Sequence, residues 1–289
     1  MAIRTVLVPV DGSPESIETL DFALLVAIRF GAHIEAVHVV HSSLEAISHM
    51  SDRMPASLRA TVSGQAKKDA REHADAAKEK FEAFCQSHGV VLSSEPRLDG
   101  GASAEWIEEA GEVADVLVRR GRLSDVIIVA RPAQHKATLR RSPAGETLEA
   151  IMLGTGRPLL IIPPNCPKTP AKHVVIGWNE SQESARALSL AMPWLPQMDS
   201  VTLAVSKKRE VRSRDVLDYL AWHGINAQVS LLDGKGKNVA DSLLNVCKEA
   251  SANILIIGGF SHSRARQLLF GGVTRHLLSE STIPTFMVH

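Results

Sequence analysis

Residues 6–13, VLVPVDGS, lead into a helical pattern from Pro14, and residues 174–181, VVIGWNES, repeat this arrangement in the second half of the chain. In each case a run of mainly β-branched residues ends in Asp or Asn, and a Ser two positions later precedes an amphipathic stretch. This order is typical of a buried strand that leads through a capped turn into a helix. The chain therefore contains two copies of one strand and helix arrangement.

Three further matches follow in the same order along both copies. Residues 98–100 (LDG) recur as 232–234 (LDG), 125–129 (DVIIV) as 253–257 (NILII), and 157–162 (RPLLII) as 283–288 (IPTFMV). Four ordered matches indicate an internal duplication, in which the first copy carries about forty additional residues. Most of these fall at 42–65, where small and polar residues predict an exposed loop or short helices.

The two copies are separated by residues 163–170, PPNCPKTP, in which four prolines restrict the backbone. Such a stretch is typical of a stiff linker. We therefore expect one domain at residues 1–165 and a second at residues 170–289.

Strand patterns alternate with helical patterns within each copy. In the first copy we predict strands at 5–10, 33–40, 90–97, 126–130 and 158–162, and helices at 14–30, along a long stretch through 66–84, at 104–119 and at 144–153. Apolar strands separated by helices indicate a parallel sheet covered on both faces. The expected fold class is α/β, with two tandem Rossmann-like, doubly wound, five-stranded domains.

In such a fold, ligands bind at the carboxyl ends of the strands, where the winding reverses. This rule places Asp11 or Asn179, together with the loop after Ile257, at one functional edge of each sheet.

Composition and charge narrow the classes of function. The 289 residues suffice for two ordinary domains, and 45% hydrophobic with 22% charged residues is globular composition. Lys and Arg together number 32, as do Asp and Glu, so no overall field draws the chain to nucleic acid or to an anionic membrane. No apolar run approaches the ~20 residues of a membrane-spanning helix. We expect a cytoplasmic protein.

The cysteines and histidines give no sign of a metal site. Cys85, Cys166 and Cys247 stand alone without C-x-x-C spacing, and the histidines are dispersed without H-E-x-x-H spacing. We predict structural thiols and no bound metal.

The motif that carries chemistry is residues 258–274, GGFSHSRARQLLFGGVT. Glycines at both ends of a loop between a strand and a helix let backbone amides face a phosphate, and the helix dipole favours an anion there. Hydroxyl groups and arginines within the segment add donors and positive charge. The candidate anion-binding residues are Gly258, Gly259, Ser261, His262, Ser263, Arg264, Gly271, Gly272, Val273 and Thr274.

Taken together, these motifs resemble the universal stress protein family across both copies. Nucleotide-binding members of that family carry an Asp after the first strand and a signature after the fourth, G-x-x-G, nine residues, then G-[ST]. The resemblance places Gly258, Ser261, Gly271 and Gly272 on the signature. Ser261 stands where a Gly is usual, and Gly272 stands where a Ser or Thr is usual. The adenine-side Asp falls on Asn179, whose amide offers a donor and an acceptor but no charge.

The resemblance implies an adenine nucleotide alpha hydrolase-like fold, pairing of the two domains through their last strands, and ATP or ADP at the C-terminal copy. The alternative interpretation of the glycines is a turn kept for tight packing of helix on strand. In the first copy the matching loop, residues 130–136 (ARPAQHK), lacks the first glycine and loses an amide at Pro132. We expect no family-type ATP binding there, and Asp11 is expected to cap its helix.

The leading hypothesis is a non-catalytic stress-response or signalling protein that forms a homodimer and binds neither nucleic acid nor membranes. A weak ATPase or adenylyl-transfer enzyme is a second hypothesis, although no nucleophile elbow or triad spacing is present. A nucleotide-free interaction or small-molecule scaffold is the third. Lys235 and Lys237 lack the P-loop spacing but are candidates for phosphate contact in any nucleotide-bound form.

Overall fold

The computed structural model describes residues 2–40, 56–97, 100–132, 142–233, 237–259 and 272–289. Contacts group the chain into two compact units, one of Arg4–Asp125 and one of Met1–Ile3 with Val126–His289. The domain limits inferred from the repeat, 1–165 and 170–289, stay a prediction.

The unit Arg4–Asp125 is a parallel sheet with helices in its connections. Its elements are β1 (Thr5–Pro9), α1 (Pro14–Phe30), β2 (His33–Val40), α2 (Ala56–His88), β3 (Val91–Leu92), β4 (Ser103–Ala110) and α3 (Val113–Gly121). The strand order is β3-β4-β2-β1, and each neighbouring pair is parallel.

The two ends of helix α1 are determined by residues at those positions. Ser13 is the N-cap, and its side chain accepts a hydrogen bond from the Ser16 amide at 3.2 Å, while Pro14 opens the first turn. Gly31 ends the helix with φ 61°, a left-handed conformation that suits glycine. A side chain at Gly31 would also collide with the Gly100 carbonyl oxygen. The predicted helix 14–30 is confirmed at both ends.

Two predicted elements of the first copy are wrong. The predicted helix at 104–119 is instead strand β4 followed by the shorter helix α3, and the predicted strand at 90–97 shortens to β3. Alanines and glutamates in β4 favour a helix locally, but all eight residues pair in register with β2, from Ser103 to Ala110. Pairing along a whole strand outweighs an intrinsic preference of a few tenths of a kcal/mol per residue.

The second unit contains the end of the first copy and the whole second copy. Its elements are β5 (Val126–Ala130), α4 (Pro143–Thr155), β6 (Leu159–Ile162), β7 (His173–Trp178), α5 (Gln182–Ala191), β8 (Ser200–Ser206), α6 (Ser213–Trp222), β9 (Ala227–Leu232), α7 (Lys237–Glu249), β10 (Ile254–Gly258), α8 (Gly272–Glu280) and β11 (Thr285–Val288). The strand order is β5-β6-β11-β10-β7-β8-β9.

The last strands of the two copies pair with each other, as the resemblance implied. Strands β6 and β11 are antiparallel, with Phe286 opposite Leu160 and Met287 opposite Leu159. The other neighbouring pairs described in this unit are parallel. All four residues of β6 and of β11 are buried. The predicted α/β class and the pairing are confirmed, and the second copy has the five predicted strands, whereas the described part of the first copy has six.

The residue directly before β5 and the residue directly before β10 make the same polar contact. Each accepts hydrogen bonds from backbone amides at the start of the first strand of its copy. The Asp125 carboxylate accepts hydrogen bonds from the Arg4 and Thr5 amides at 2.7 and 3.1 Å. At the matching place in the second copy, the Asn253 carboxamide oxygen accepts from the Lys172 and His173 amides at 2.9 and 3.0 Å. These contacts explain why Asp or Asn opens both repeats of this strand.

We expect Asn253→Ala to lower the free energy of unfolding by about 1–3 kcal/mol, because two backbone N–H groups lose their acceptor. Urea denaturation followed by circular dichroism measures the change. Asn253→Asp is the matched control, since Asp125 makes the same contacts in the first copy, and it should stay near wild type. Equal destabilisation by both variants would contradict this role.

Candidate functional site

The carboxyl ends of β7 and β10 lie side by side in the centre of the second copy. These strands pair in parallel up to Gly177 and Ile257. The chain leaves β7 toward β8 and β9 on one side, and leaves β10 toward β11 on the other. The winding of the sheet reverses between β7 and β10, so Asn179 and Gly259 follow the two strands that border the crevice where α/β proteins bind ligands.

Asn179 forms a tight turn at this point. Its side-chain oxygen accepts a hydrogen bond from the Ser181 amide at 3.1 Å, and the Ser181 hydroxyl accepts one from the Ser184 amide at 3.1 Å. Ser181 is thereby the N-cap of α5. The predicted strand, turn and capped helix are present, and Asn179 is half-buried at the carboxyl end of β7.

Gly258 is required by packing against the first turn of α5. A Cβ atom at Gly258 would lie 2.5 Å from the Glu183 carbonyl carbon and would also overlap the Ser184 backbone nitrogen. Both obstacles are backbone atoms, which cannot rotate aside. This contact supports the packing interpretation of the first signature glycine.

Gly259 is the first residue beyond β10. Its amide donates a hydrogen bond to the Val288 carbonyl at 2.7 Å. A Cβ atom there would lie 3.2 Å from the Met287 side chain, which is flexible. Gly259 is therefore held by its backbone, and its missing side chain leaves room for the buried Met287 side chain.

Helix α8 begins at Gly272, and its first turn contains Val273 and Thr274. Gly272 is exposed, and no described residue lies within 4 Å of a Cβ atom built there, whereas Thr274 is buried. Because β10 and β11 are parallel, the connecting helix starts at the carboxyl end of β10. The predicted site residues Ser261, His262, Ser263, Arg264 and Gly271 lie outside the described residues, as do the side chain of Lys237 and the whole of Lys235.

Three polar contacts near this edge, two of them made by Glu180, have no signal in the sequence. Glu180, directly after Asn179, has φ 62° and its carboxylate contacts Arg209 at 3.1 Å and Arg212 at 3.4 Å. His276 of α8 contacts Asp241 of α7 with a distance of 2.6 Å between Nε2 and Oδ1. The partners are 29 to 35 residues apart, and no local spacing predicts such pairs.

In the first copy, Asp11 holds the turn between β1 and α1. Its Oδ1 atom accepts hydrogen bonds from the Ser13 amide at 2.9 Å and from the Ser13 hydroxyl at 2.5 Å. Burial raises the pKa of Asp11, but hydrogen bonds from Ser13 and Ser16 outweigh burial and the net shift is downward. Asp11 therefore holds the N-cap residue Ser13 in place. The prediction that Asp11 caps the helix is wrong, because the N-cap is Ser13.

The three cysteines are buried free thiols. Burial raises the pKa of Cys85 and of Cys166 to about 11 and that of Cys247 to about 12, so each is protonated and unreactive at neutral pH. In the described parts of the chain, no three His, Cys, Asp or Glu residues are grouped so that they could hold a metal ion. No helix among the described residues is long and apolar enough to cross a membrane.

Comparison with known proteins matches this duplicated architecture. The model of the universal stress protein family fits residues 2–163 and 191–289. The chain belongs to the universal stress protein family. No curated protein matches it.

Solved structures share the fold over nearly the full length. A universal stress protein from Archaeoglobus fulgidus DSM 4304 is 15% identical, with a TM-score of 0.72, and the match covers 98% of this chain and 95% of that one. A functionally unknown protein from Pseudomonas aeruginosa PAO1 is 14% identical, with a TM-score of 0.59 and coverage of 99% and 92%. At these identities the likeness shows the tandem universal stress protein fold alone.

We expect Gly258→Ala to destabilise the protein by about 1–3 kcal/mol, because the added methyl group meets backbone atoms of α5. Gly272→Ala is the matched control, since its methyl group meets open space at the start of a helix and should leave the melting temperature unchanged or slightly raised. Differential scanning fluorimetry compares the two. A melting temperature for Gly258→Ala equal to that of wild type would rule out the close contact.

The lowered pKa of Asp11 leads to a prediction about how stability depends on pH. A carboxylate whose pKa is lower in the folded state stabilises the protein above the unfolded pKa, and this contribution is lost as pH falls through the folded pKa. Asp11→Asn should therefore be less stable than wild type near pH 7, and the gap should close as pH falls through the lowered pKa of Asp11. Denaturation at a series of pH values tests this. A stability gap that does not depend on pH would show that charge on Asp11 is irrelevant.

Proposed function

We propose that the chain is a stress-response protein whose C-terminal copy binds ATP or ADP at the carboxyl ends of β7 and β10. The observation that carries the proposal is the position of Asn179 and Gly259 directly after the two strands that border the reversal of the sheet. This crevice is where wound sheets bind nucleotides. The signature runs from Gly258, the last residue of β10, to Gly272, the first residue of α8.

The start of α8 supports a phosphate as the bound group. Gly272 is exposed, and among the residues that the structure describes none lies within 4 Å of a Cβ atom built there. Backbone amides in the first turn of a helix have no partner within the helix, and the dipole favours negative charge at that end. A diphosphate or triphosphate group is the chemistry that such amides recognise.

Positive charge next to β7 favours the same ligand. The segment after β8 contains Lys207, Lys208, Arg209 and Arg212 at the carboxyl end of the sheet. Lys207 contacts Asp233 and the two arginines contact Glu180, so the segment carries more positive charge than its acidic partners neutralise. A cationic surface at this edge attracts phosphates to the crevice.

The loop after β5 in the first copy supports nucleotide binding at the second copy alone. Its loop after β5 begins with Ala130, Arg131 and Pro132, and the imide nitrogen of Pro132 has no hydrogen to donate. A single nucleotide per chain is the stoichiometry that we propose.

Mass spectrometry of nucleotide released from freshly purified, heat-denatured protein identifies the ligand without a prior choice. Isothermal titration with ATP, ADP and AMP then measures affinity and stoichiometry. We expect one ATP or ADP per chain. Absence of any released nucleotide, with no heat at millimolar ligand, would refute the proposal and favour the scaffold hypothesis.

Variants at Gly272 locate the site, because new side chains there enter open space and leave the fold intact. Gly272→Asp should weaken ATP binding at least tenfold, since it places a carboxylate where the phosphates bind. Gly272→Ala should keep wild-type affinity, and Gly272→Ser should strengthen binding by restoring a hydroxyl donor. Equal affinity for all three variants would place the nucleotide elsewhere.

Release of inorganic phosphate separates the non-catalytic proposal from the ATPase hypothesis. We expect no turnover with ATP and Mg²⁺. Steady turnover in wild type that disappears in Gly272→Asp would make the protein an enzyme and overturn the non-catalytic part of the proposal.

A further inference from the structure

Arg131 of the first copy and Gly259 of the second copy occupy the same place in the repeated fold. Each is the first residue after the fourth repeated strand, β5 or β10. Each donates its backbone amide to a carbonyl of the last strand of its own copy, Arg131 to Ile162 and Gly259 to Val288, and both distances are 2.7 Å. The backbone is therefore alike at the two places, and only the side chain differs.

The Arg131 side chain reaches the C-terminal end of α8 in the other copy. Its Nη1 atom donates hydrogen bonds to the Leu278 carbonyl at 3.0 Å and to the Ser281 carbonyl at 2.7 Å. Carbonyls in the last turn of a helix have no partner within the helix, and a cation is favoured at that end of the dipole. Arg131 thus caps a helix that belongs to the opposite copy.

The burial and charge around Arg131 agree with a specific contact. The side chain is half-buried, and burial lowers the pKa of Arg131 while the nearby Glu280 opposes that shift. A partly desolvated guanidinium is stabilised by the carbonyls it contacts. The contact differs in this respect from a solvent-exposed ion pair.

The matching position of the second copy carries no side chain. A Cβ atom at Gly259 would point toward Met287 and toward the sulfur of Met152 on α4, the helix that corresponds to α8. Position 259 therefore cannot supply a guanidinium to the end of α4, as Arg131 supplies one to the end of α8. The duplication is therefore asymmetric at one position, with an arginine in the altered loop and a glycine in the signature loop.

Helix α8 is short enough for a contact at its C-terminal end to matter at its N-terminal end. It has nine residues, which is about 13 Å of helix. Its own residues Leu277 and Leu278 are buried, and His276 joins it to Asp241 of α7. The Arg131 contact holds the helix at its C-terminal end.

We propose that Arg131 is a positioning residue for the anion site of the C-terminal copy. It holds α8 from the altered loop of the first copy, so that the amides at Gly272–Thr274 stay in place for the phosphates. This inference rests on the proposed nucleotide site for its effect on affinity, and on the Arg131 contacts alone for its effect on α8.

The test compares Arg131→Met with Arg131→Lys in the full chain. Methionine keeps apolar bulk and removes every donor, whereas lysine keeps the charge and one donating group. Arg214→Met is the matched control, because Arg214 lies on α6 and pairs with Asp218 on its own helix. Hydrogen exchange of α8 in the nucleotide-free protein and titration with ATP are the two measurements.

In Arg131→Met, we expect the amides of residues 276–280, which bond within the helix, to exchange about tenfold faster than in wild type, and ATP affinity to fall about tenfold. Arg131→Lys should restore part of both effects, and Arg214→Met should change neither. Unchanged exchange of α8 in a folded Arg131→Met protein would overturn the proposal. Faster exchange with unchanged ATP affinity would also overturn it, since Arg131 would then be only a structural cap.

The two proposals fail in different ways. If wild type binds no nucleotide, the proposed function fails, and exchange of the amides of residues 276 and 277, which bond to carbonyls of the first turn, decides whether the Arg131 contact reaches the start of α8. If wild type binds ATP and Arg131→Met binds it equally well, the function stands and the positioning role is refuted. Should Arg131→Met not fold, the comparison of Arg131→Lys with wild type decides in the same terms.

Discussion

Antiparallel pairing of β6 with β11 is the interaction on which the arrangement of the second unit depends. It joins the last strands of the two copies through buried residues such as Leu160 and Phe286, so that neither strand has an exposed edge. Because the two strands run in opposite directions, the carboxyl end of β6 meets the amino end of β11. That geometry brings the loop after β5 beside the end of α8, and it explains how Arg131 reaches carbonyls about 150 residues away.

The candidate site is built by backbone packing before any ligand is considered. The turn at Asn179 and Ser181 begins α5, and Gly258 lets the backbone at the end of β10 approach the first turn of α5 closely. These contacts border the crevice between β7 and β10. Under the proposed function, main-chain groups bind the phosphates, and Ser261 and Gly272 can then stand at two positions of the family signature.

Much of this architecture follows from local patterns, because strands, caps and turns are encoded by neighbouring residues. The capped start of α1, the repeated Asp125 and Asn253, and the position of the crevice were all predictable. Strand β4 was not, since pairing with β2 decided its conformation against the preference of its alanines and glutamates. The contacts of Glu180, His276 and Arg131 were not predictable either, because each partner comes from a distant segment. Residues 260–271, which make up most of the proposed phosphate loop, lie outside the described residues.

Fusion of both copies into one polypeptide has a consequence for how they diverge. In an assembly of two identical chains, every substitution occurs twice, and an arginine in one phosphate loop would appear in the other loop as well. Two copies within one chain are encoded separately, so position 131 can be an arginine while position 259 is a glycine. Either copy can therefore change at this position without changing the other.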